Sequence, residues 1–134
     1  EILKTYAEEL DIPIHIHLHE TQHEIDQAVA DNGLRPIARL QKLGLLSPLL
    51  VSVHMTQLLD EEIKLLKRHG VHIVHCPESN MKLASGFCPV GKLMAKKVNV
   101  ALGTDGAASN NDLDMLSEMR TAALLAKAVS GDAS

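Results

Sequence analysis

The sequence has almost no aromatic side chains: it contains no Trp, one Tyr and one Phe in 134 residues. Proteins that bind single-stranded nucleic acid stack bases on aromatic rings, and this chain offers no set of rings for that purpose. An excess of basic residues is lacking too, since the formal net charge is −4 with both signs interspersed. A basic patch for nucleic acid is therefore not expected, and the core must consist of aliphatic side chains and Met.

Long apolar runs are also lacking, and no stretch approaches the ~20 residues of a membrane-spanning helix. No signal peptide is visible at the start of the chain. The two cysteines, Cys76 and Cys88, lie outside any C-x-x-C pattern, so we expect reduced thiols rather than a disulfide. Together these absences favour a cytoplasmic protein with neither a membrane nor a nucleic acid as its partner.

The composition that remains is typical of a folded domain. Hydrophobic residues make up 46% of the chain and charged residues 22%, which excludes a disordered composition. The length corresponds to one domain at most. Because the sequence opens within a helical pattern without a starting Met, we expect it to be a fragment of a longer protein.

Four short apolar runs alternate with amphipathic helical patterns. The runs predict strands at about 14–18, 49–53, 71–75 and 99–103. Helices are predicted at 1–10, 21–32, 36–43, 60–69, 90–97 and 113–129, with a long polar loop at 76–89. This alternation is typical of a parallel sheet covered by helices. A (βα)₈ barrel, half of such a barrel and a small doubly wound sheet all remain open at this point.

Two helix starts carry specific signals. Thr21-x-x-Glu24 predicts a capping box at the start of the helix that follows the first strand. Asp60 precedes a run of helix formers and is predicted as the N-cap of the next long helix.

The first strand, IHIHL at 14–18, alternates histidines with aliphatic residues. With a period of two, Ile14, Ile16 and Leu18 share one face, which we expect to pack on the helices. His15 and His17 then share the other face, with His17 nearest the strand end. We expect His15 to be structural, whereas His19 is expected to be a surface or loop residue, because it already turns out into the loop after the strand.

Titratable residues follow the end of each predicted strand: His17 with Glu20, then His54, His75 and Asp105. Active sites of parallel α/β proteins lie at the carboxyl ends of the strands. Histidine and aspartate together are typical ligands of zinc or a similar divalent ion. A carboxylate beside such an ion can accept a proton from water, and a second acid can protonate the leaving side.

Four segments together resemble the amidohydrolase superfamily, in particular its group of 5-methylthioadenosine/S-adenosylhomocysteine deaminases. They are HLHET at 17–21, VHMTQL at 53–58, HCPESNMKLASGFCPV at 75–90 and LGTDGAASNNDLDML at 102–116. The resemblance covers nearly the whole chain. It implies an α/β fold in which the parallel βα units form half of a metal-dependent (βα)₈ TIM barrel. The four strands would be strands 5 to 8 of that barrel, because the interval from His17 to Asp105 accommodates only those four.

In domain terms, the resemblance implies that residues 1–134 are part of the barrel domain. Strands 1 to 4, with the paired histidines that complete the metal site, and a small β-sandwich domain would lie elsewhere in the parent protein.

The resemblance also implies roles for individual residues. His17 and Asp105 match metal ligands, and Asp105 also matches the proton acceptor. Glu20 matches the acid that contacts the ring nitrogen, and His54 matches the histidine beside the attacking water. Glu20 and His54 are expected to contact the substrate, together with Ser79 and Asn80 from a segment that shapes the pocket.

The implied activity of the parent protein is zinc-dependent hydrolytic deamination of an adenine nucleoside: 5-methylthioadenosine, S-adenosylhomocysteine or adenosine. One ion per active site is expected, with Fe²⁺ or Mn²⁺ as alternatives to Zn²⁺. Two other functions remain open. One is an amidohydrolase for another ring or leaving group, such as a guanine or cytosine deaminase or a chlorohydrolase. The other is a non-catalytic half-barrel that associates with itself; self-association of the fragment, or a homo-oligomer of the parent, is expected in any case.

Overall fold

A single parallel sheet organises the chain in this computed structural model, which describes residues 2–133. Its strands are β1 (Ile14–Leu18), β2 (Leu50–His54), β3 (His72–His75) and β4 (Val100–Leu102). They lie side by side in the order β1-β2-β3-β4, and each neighbouring pair is parallel. The predicted strands and the predicted parallel α/β class are therefore confirmed.

Seven helices connect and flank the strands in the described part of the chain. They are α1 (Ile2–Leu10), α2 (Gln22–Asn32), α3 (Pro36–Lys42), α4 (Asp60–His69), α5 (Pro77–Lys82), α6 (Val90–Ala95) and α7 (Met115–Ser130). The predicted loop at 76–89 was wrong in part, because α5 lies within it. Pro77 starts that helix with its fixed φ, and a helix of six residues is too short to show a periodic pattern.

The helix starts differ in detail from the predictions. Thr21 does cap α2, since its hydroxyl accepts a hydrogen bond from the Glu24 N–H. In a capping box the Glu24 carboxylate would accept a hydrogen bond from the N–H of Thr21. It instead accepts hydrogen bonds from the N–H groups of His19 and Glu20, at 2.9 and 2.7 Å. It thereby holds the turn that follows β1.

Asp60 is not the N-cap of α4, which was predicted, but its first residue. The Glu62 carboxylate accepts from the Leu59 N–H at 2.8 Å instead. Asp60 is free to form an exposed ion pair with Lys92, also at 2.8 Å.

The aliphatic face of β1 packs on the helices as predicted. Leu18 is buried, and Ile14 and Ile16 pack against the same core cluster. The other face of β1 carries His15 and His17, which are exposed. The fully buried aliphatic side chains of this core come from the sheet and from three helices: Ile37, Leu66, Ile73 and Leu93.

Cys76 and Cys88 are both buried and form no disulfide, as predicted. Burial raises the pKa of each thiol to about 12, so neither is a reactive thiolate at neutral pH. Among residues 2–133, no helix is both long enough and apolar enough to cross a membrane.

Gly86 allows the segment between α5 and α6 to lie directly on the loop after β2. Its φ is +126°, and an added Cβ would lie 2.7 Å from Gln57 Nε2 and 3.1 Å from Thr56 Oγ1. Both the backbone conformation and the close approach therefore require glycine at this position.

Replacing Gly86 with Ala should destabilise the full-length protein by roughly 1–3 kcal/mol, because it combines backbone strain with overpacking. Gly91→Ala is the matched control. Gly91 lies in α6, where an added Cβ has no atom within 4 Å, so this change should stabilise by about 0.4–1 kcal/mol. Urea unfolding of the two variants measures the difference, and equal effects would contradict the close approach.

Candidate metal centre

Three side chains from the carboxyl ends of β1, β2 and β4 converge in the structure. His17, His54 and Asp105 each offer one ligand atom, and these atoms all lie within 4.8 Å of one another. His54 Nε2 is 3.3 Å from His17 Nδ1 and 3.9 Å from Asp105 Oδ2, and His17 Nε2 is 3.8 Å from Asp105 Oδ1. The predicted convergence of these residues is confirmed as geometry.

The backbone is strained where two of these residues lie. The register pairs His54 with Leu18, whose side chain is in the core. His54 and Met55 have φ values of 74° and 53°, and Asp105 has 61°. Non-glycine residues rarely adopt such angles, and they persist where the surrounding structure enforces them, often at functional sites. The turn at His54 brings its ring to the side of His17 rather than into the core.

The cluster is open on one side only. The His54 side chain is fully buried, Asp105 is 16% exposed, and His17 is 58% exposed. The rings of His17 and His54 meet edge to face, with centroids 4.6 Å apart. A ligand would therefore reach the cluster from the side of His17.

Asp105 is held through one of its oxygens. Oδ2 accepts hydrogen bonds from the hydroxyls of Ser79 and Ser109 at 2.7 and 2.8 Å. Burial alone would raise the pKa of this carboxyl, but those two hydrogen bonds and one from the Gly106 N–H outweigh it, so the pKa lies below its usual value. Asp105 is thus an anion at neutral pH.

His54 has a defined tautomer because its Nδ1–H donates to Asn80 Oδ1 at 2.8 Å. A neutral ring that donates from Nδ1 keeps a free lone pair on Nε2. Nε2 is the atom that faces His17, Asp105 and Glu20. This tautomer suits a metal ligand or a group that accepts a hydrogen bond from water.

Glu20 borders the cluster without belonging to it. Its Oε2 lies 3.6 Å from His54 Nε2, and its side chain is 23% exposed. Its Oε1 accepts a hydrogen bond from the Ser85 hydroxyl at 3.1 Å. The arrangement places a second carboxylate beside the three potential ligands, as an acid–base pair requires.

His75 does not join the cluster, although it too lies at the end of a strand. It is 1% exposed and lines a cavity of about 470 Å³ together with Cys88, Val90 and Leu125. Its Nδ1 has no hydrogen-bond partner within residues 2–133. Burial, with a smaller effect from His54, lowers the pKa of His75 to about 4. The segment after β3 contributes Ser79 and Asn80 instead.

His19 lies in the loop directly after β1, which was one of its two expected positions, but it is fully buried rather than at the surface. Its Nε2 accepts from the Ile37 N–H at 3.1 Å, so Nδ1 carries the proton that faces Gln57 O at 3.0 Å. Burial lowers the pKa of His19, which agrees with a neutral ring. His19 joins the end of β1 to the start of α3 and to the loop after β2.

From the sequence, no individual role was assigned to Ser85 or Ser109. Both hydroxyls contact a carboxylate of the site. Ser85 is 65 positions from Glu20 along the chain, and no local pattern marks such a contact.

A model of the amidohydrolase family matches residues 1–134. The chain belongs to the amidohydrolase family. Among curated amidohydrolases, a 5-methylthioadenosine/S-adenosylhomocysteine deaminase of Teredinibacter turnerae is 56% identical over 133 residues, which are 99% of this chain and 30% of the relative. A 5'-deoxyadenosine deaminase of Methanothermobacter thermautotrophicus is 48% identical over 130 residues, again 30% of its length.

Two solved structures have the same fold over this length. An adenosine deaminase of Xanthomonas campestris with bound zinc superimposes with a TM-score of 0.96 at 58% identity, covering 98% of this chain and 30% of its own. An atrazine chlorohydrolase of Arthrobacter aurescens complexed with zinc has a TM-score of 0.90 at 26% identity. The match covers 95% of this chain and 28% of the chlorohydrolase. This amidohydrolase chain thus spans about 30% of the curated relatives' length.

The buried His75 should make the stability of the full-length protein fall with acid. The unfolded chain binds a proton at this ring from about pH 6.5 downwards, whereas the folded chain binds it only near pH 4. Stability is therefore lost as the pH falls through this window, by up to about 3 kcal/mol. Relative to the wild type, His75→Gln should become progressively more stable over the same window.

Urea unfolding at a series of pH values in the absence of metal measures this difference. His23→Gln is the control, because His23 is exposed and its surroundings change little on unfolding. A difference between His75→Gln and the wild type that stays constant from pH 7 to pH 4 would contradict the buried neutral ring.

Proposed function

We propose that the full-length protein containing this chain hydrolyses the exocyclic amine of an adenine nucleoside, with zinc as its cofactor, and releases ammonia. The observation that carries the proposal is the cluster of His17, His54 and Asp105 with Glu20 at its border. It lies in a chain that is 56% identical to a methylthioadenosine and adenosylhomocysteine deaminase and 58% identical to an adenosine deaminase.

The donor set fits zinc. Two imidazole nitrogens and a carboxylate oxygen are its usual ligands, and ligands roughly 2.0–2.2 Å from a tetrahedral ion lie roughly 3.3–3.6 Å apart. One ligand atom from each of the three residues lies within 4.8 Å of the other two, so the side chains need to draw closer around an ion to reach that spacing. We assign His17 and Asp105 as ligands, with His54 within reach of the same position. Fe²⁺ or Mn²⁺ would be served by the same groups.

A bound zinc ion supplies Lewis acidity, which makes a water molecule acidic enough to act as a nucleophile near neutral pH. Asp105 is anionic, as its lowered pKa indicates, and takes the proton of the attacking water. Glu20 gives a proton to the ring nitrogen next to the carbon under attack. His54 faces both carboxylates from 3.6 and 3.9 Å and orients the water. The proton held by Asp105 then leaves with the amine as ammonia, and the second proton of the water passes to Glu20 as the carbonyl of the product forms.

We further propose that the four strands are strands 5 to 8 of a (βα)₈ barrel and that residues 1–134 are part of that barrel domain. Within the described residues, β1 and β4 are the edges of the sheet, and the His15 and His17 face is exposed. Strands 1 to 4, a paired-histidine motif and a β-sandwich domain would then belong to the remainder of the full-length protein. A catalytic zinc usually has three protein ligands and an open position, so further ligands from those strands fit the scheme.

The degree of similarity favours a nucleoside over a chlorinated ring as the substrate. Chlorohydrolases share the fold but only 26% of the residues, whereas the adenine nucleoside deaminases share 48–58%. Ammonia release from adenosine, methylthioadenosine and S-adenosylhomocysteine by the full-length protein tests this choice. Ammonia release from guanine or cytosine, or chloride release from a triazine, would replace adenine nucleosides as the proposed substrates.

Two variants of the full-length protein should distinguish the loss of a metal ligand from the loss of the catalytic acid. Asp105→Asn should lower turnover at least roughly 1,000-fold and also weaken zinc binding, because one carboxylate serves as ligand and base. Glu20→Gln should lower turnover roughly 100-fold or more while zinc content stays near one per chain, since Glu20 is not a ligand.

Zinc content by elemental analysis and kcat for ammonia release measure the two effects. His23→Gln, at an exposed residue of α2, is the control for substitution itself. Loss of zinc from Glu20→Gln would show that the division between ligand and acid is wrong.

The unpaired sheet edges also favour the second candidate function, a self-associating half-barrel. Residues 1–134 on their own should associate through β1 and β4, since unpaired edges pair with other chains. They should bind zinc weakly and release no ammonia, because two assigned ligands do not complete a catalytic site. Light scattering, zinc content and the ammonia assay test this, with the full-length protein as the positive control. A monodisperse, zinc-loaded and active monomer would contradict the assignment to strands 5 to 8.

A further inference from the structure

One short segment contacts three groups of the site, Asp105, His54 and Glu20. It runs from Ser79, at the middle of α5, to Ser85, just before Gly86. We propose that this positioning segment, Ser79–Ser85, orients the metal ligand, the histidine and the acid through three separate side chains. The inference deepens the proposed function, on which it rests for the roles of the three groups.

The first contact orients Asp105. Ser79 is fully buried, and its hydroxyl donates to Oδ2 at 2.7 Å. Ser109 donates to the same oxygen at 2.8 Å. Because both hydroxyls engage Oδ2, the other oxygen, Oδ1, is left facing His17 at 3.8 Å. Ser79 and Ser109 together thereby fix the orientation in which the carboxylate faces His17 and His54.

The second contact orients His54. Asn80 is fully buried, and its Oδ1 accepts the Nδ1–H of the ring at 2.8 Å. Its Nδ2 has no partner anywhere in residues 2–133, so the bond to His54 is the side chain's one hydrogen bond in that part of the chain. A buried amide left half satisfied costs stability, and a role in setting the tautomer of His54 accounts for its presence.

The third contact orients Glu20. Ser85 is 5% exposed, and its hydroxyl donates to Glu20 Oε1 at 3.1 Å. The other oxygen, Oε2, is thereby directed towards His54 Nε2, 3.6 Å away. Ser85 thus holds the carboxylate of the acid as Ser79 holds that of the ligand.

The segment itself is fixed at both ends. The Ser85 N–H donates to Asn80 O at 2.9 Å, which closes the turn after α5. Ser85 O accepts from Thr56 Oγ1 at 3.2 Å and from Gln57 Nε2 at 2.9 Å. A displacement of the segment would therefore move all three hydrogen bonds together.

This role differs from the substrate contact that the sequence suggested for Ser79 and Asn80. Both residues are completely buried behind Asp105 and His54, so they offer no surface to a substrate in this structure. A positioning residue acts through its partner, and its loss should change only the property that the partner controls.

Two alanine variants of the full-length protein separate these properties. Ser79→Ala should weaken zinc binding roughly 10- to 100-fold, as is common when a group behind a metal ligand is removed. Ser85→Ala should leave the zinc Kd unchanged within about twofold and lower kcat roughly tenfold, because the hydrogen bond that orients the Glu20 carboxyl is lost. Competition with a chelator gives the zinc Kd without any assay of activity.

Ser52→Ala is the matched control. Ser52 is fully buried on β2, and its hydroxyl has no hydrogen-bond partner within residues 2–133. The change removes a buried serine hydroxyl without touching the segment, so zinc Kd and kcat should both stay within about twofold of the wild type.

A double-mutant cycle tests the partnership directly. In a Glu20→Gln background, Ser85→Ala should cause no further loss of kcat, because the group it positions is already removed. A full additional loss would overturn the assignment of Ser85. Likewise, a wild-type zinc Kd for Ser79→Ala, or equal effects of the two serine variants on Kd and kcat, would show that the segment is merely structural.

The positioning role of Ser79 can be tested independently of the proposed deaminase activity. If the wild-type protein released no ammonia from any adenine nucleoside, the deaminase proposal would fail. The zinc Kd of Ser79→Ala compared with that of Ser52→Ala would still decide whether Ser79 positions Asp105 as a ligand.

Discussion

The parallel register of the four strands is the constraint on which the site depends. Parallel strands that start in register also end in register, so their carboxyl ends meet at one edge. His17 pairs with Val53, which pairs with Val74, and Val74 pairs with Ala101. This row brings the end of β1 and the loop after β4 to the same rim, and His17 and Asp105 meet there although most of the chain separates them.

Forming the carboxyl edge of the sheet, where the site lies, costs free energy of folding, and the rest of the fold offsets that cost. Positive φ angles at His54 and Asp105 cost of order 1–3 kcal/mol each. Carboxylates that are partly buried need hydrogen-bond donors, and serine hydroxyls provide them for both Glu20 and Asp105. The aliphatic core beneath the sheet, which includes Ile37 and Leu66, supplies the burial that stabilises this strained edge.

One face of the sheet is covered by helices and the other face is exposed. The helix side of the sheet has a closed core, while the side that carries His15 and His17 is exposed. The three potential ligands lie at the boundary between the two, where His54 is supported from behind and His17 faces outwards. The chain spans about 30% of the length of its amidohydrolase relatives, and we propose that the remainder of the full-length protein covers this exposed face.

The sequence by itself determined the strands, their parallel arrangement and four residues of the site: His17, Glu20, His54 and Asp105. Hydrophobic period and strand ends are local properties, so they can be recognised without a structure. The tertiary structure alone decided that His54 turns into the candidate site whereas His75 is buried beside a different cavity. Both follow a strand, but the direction of a side chain there depends on the backbone φ and on the packing of neighbouring helices. The serine contacts to Glu20 and Asp105 likewise exist only once distant segments have met.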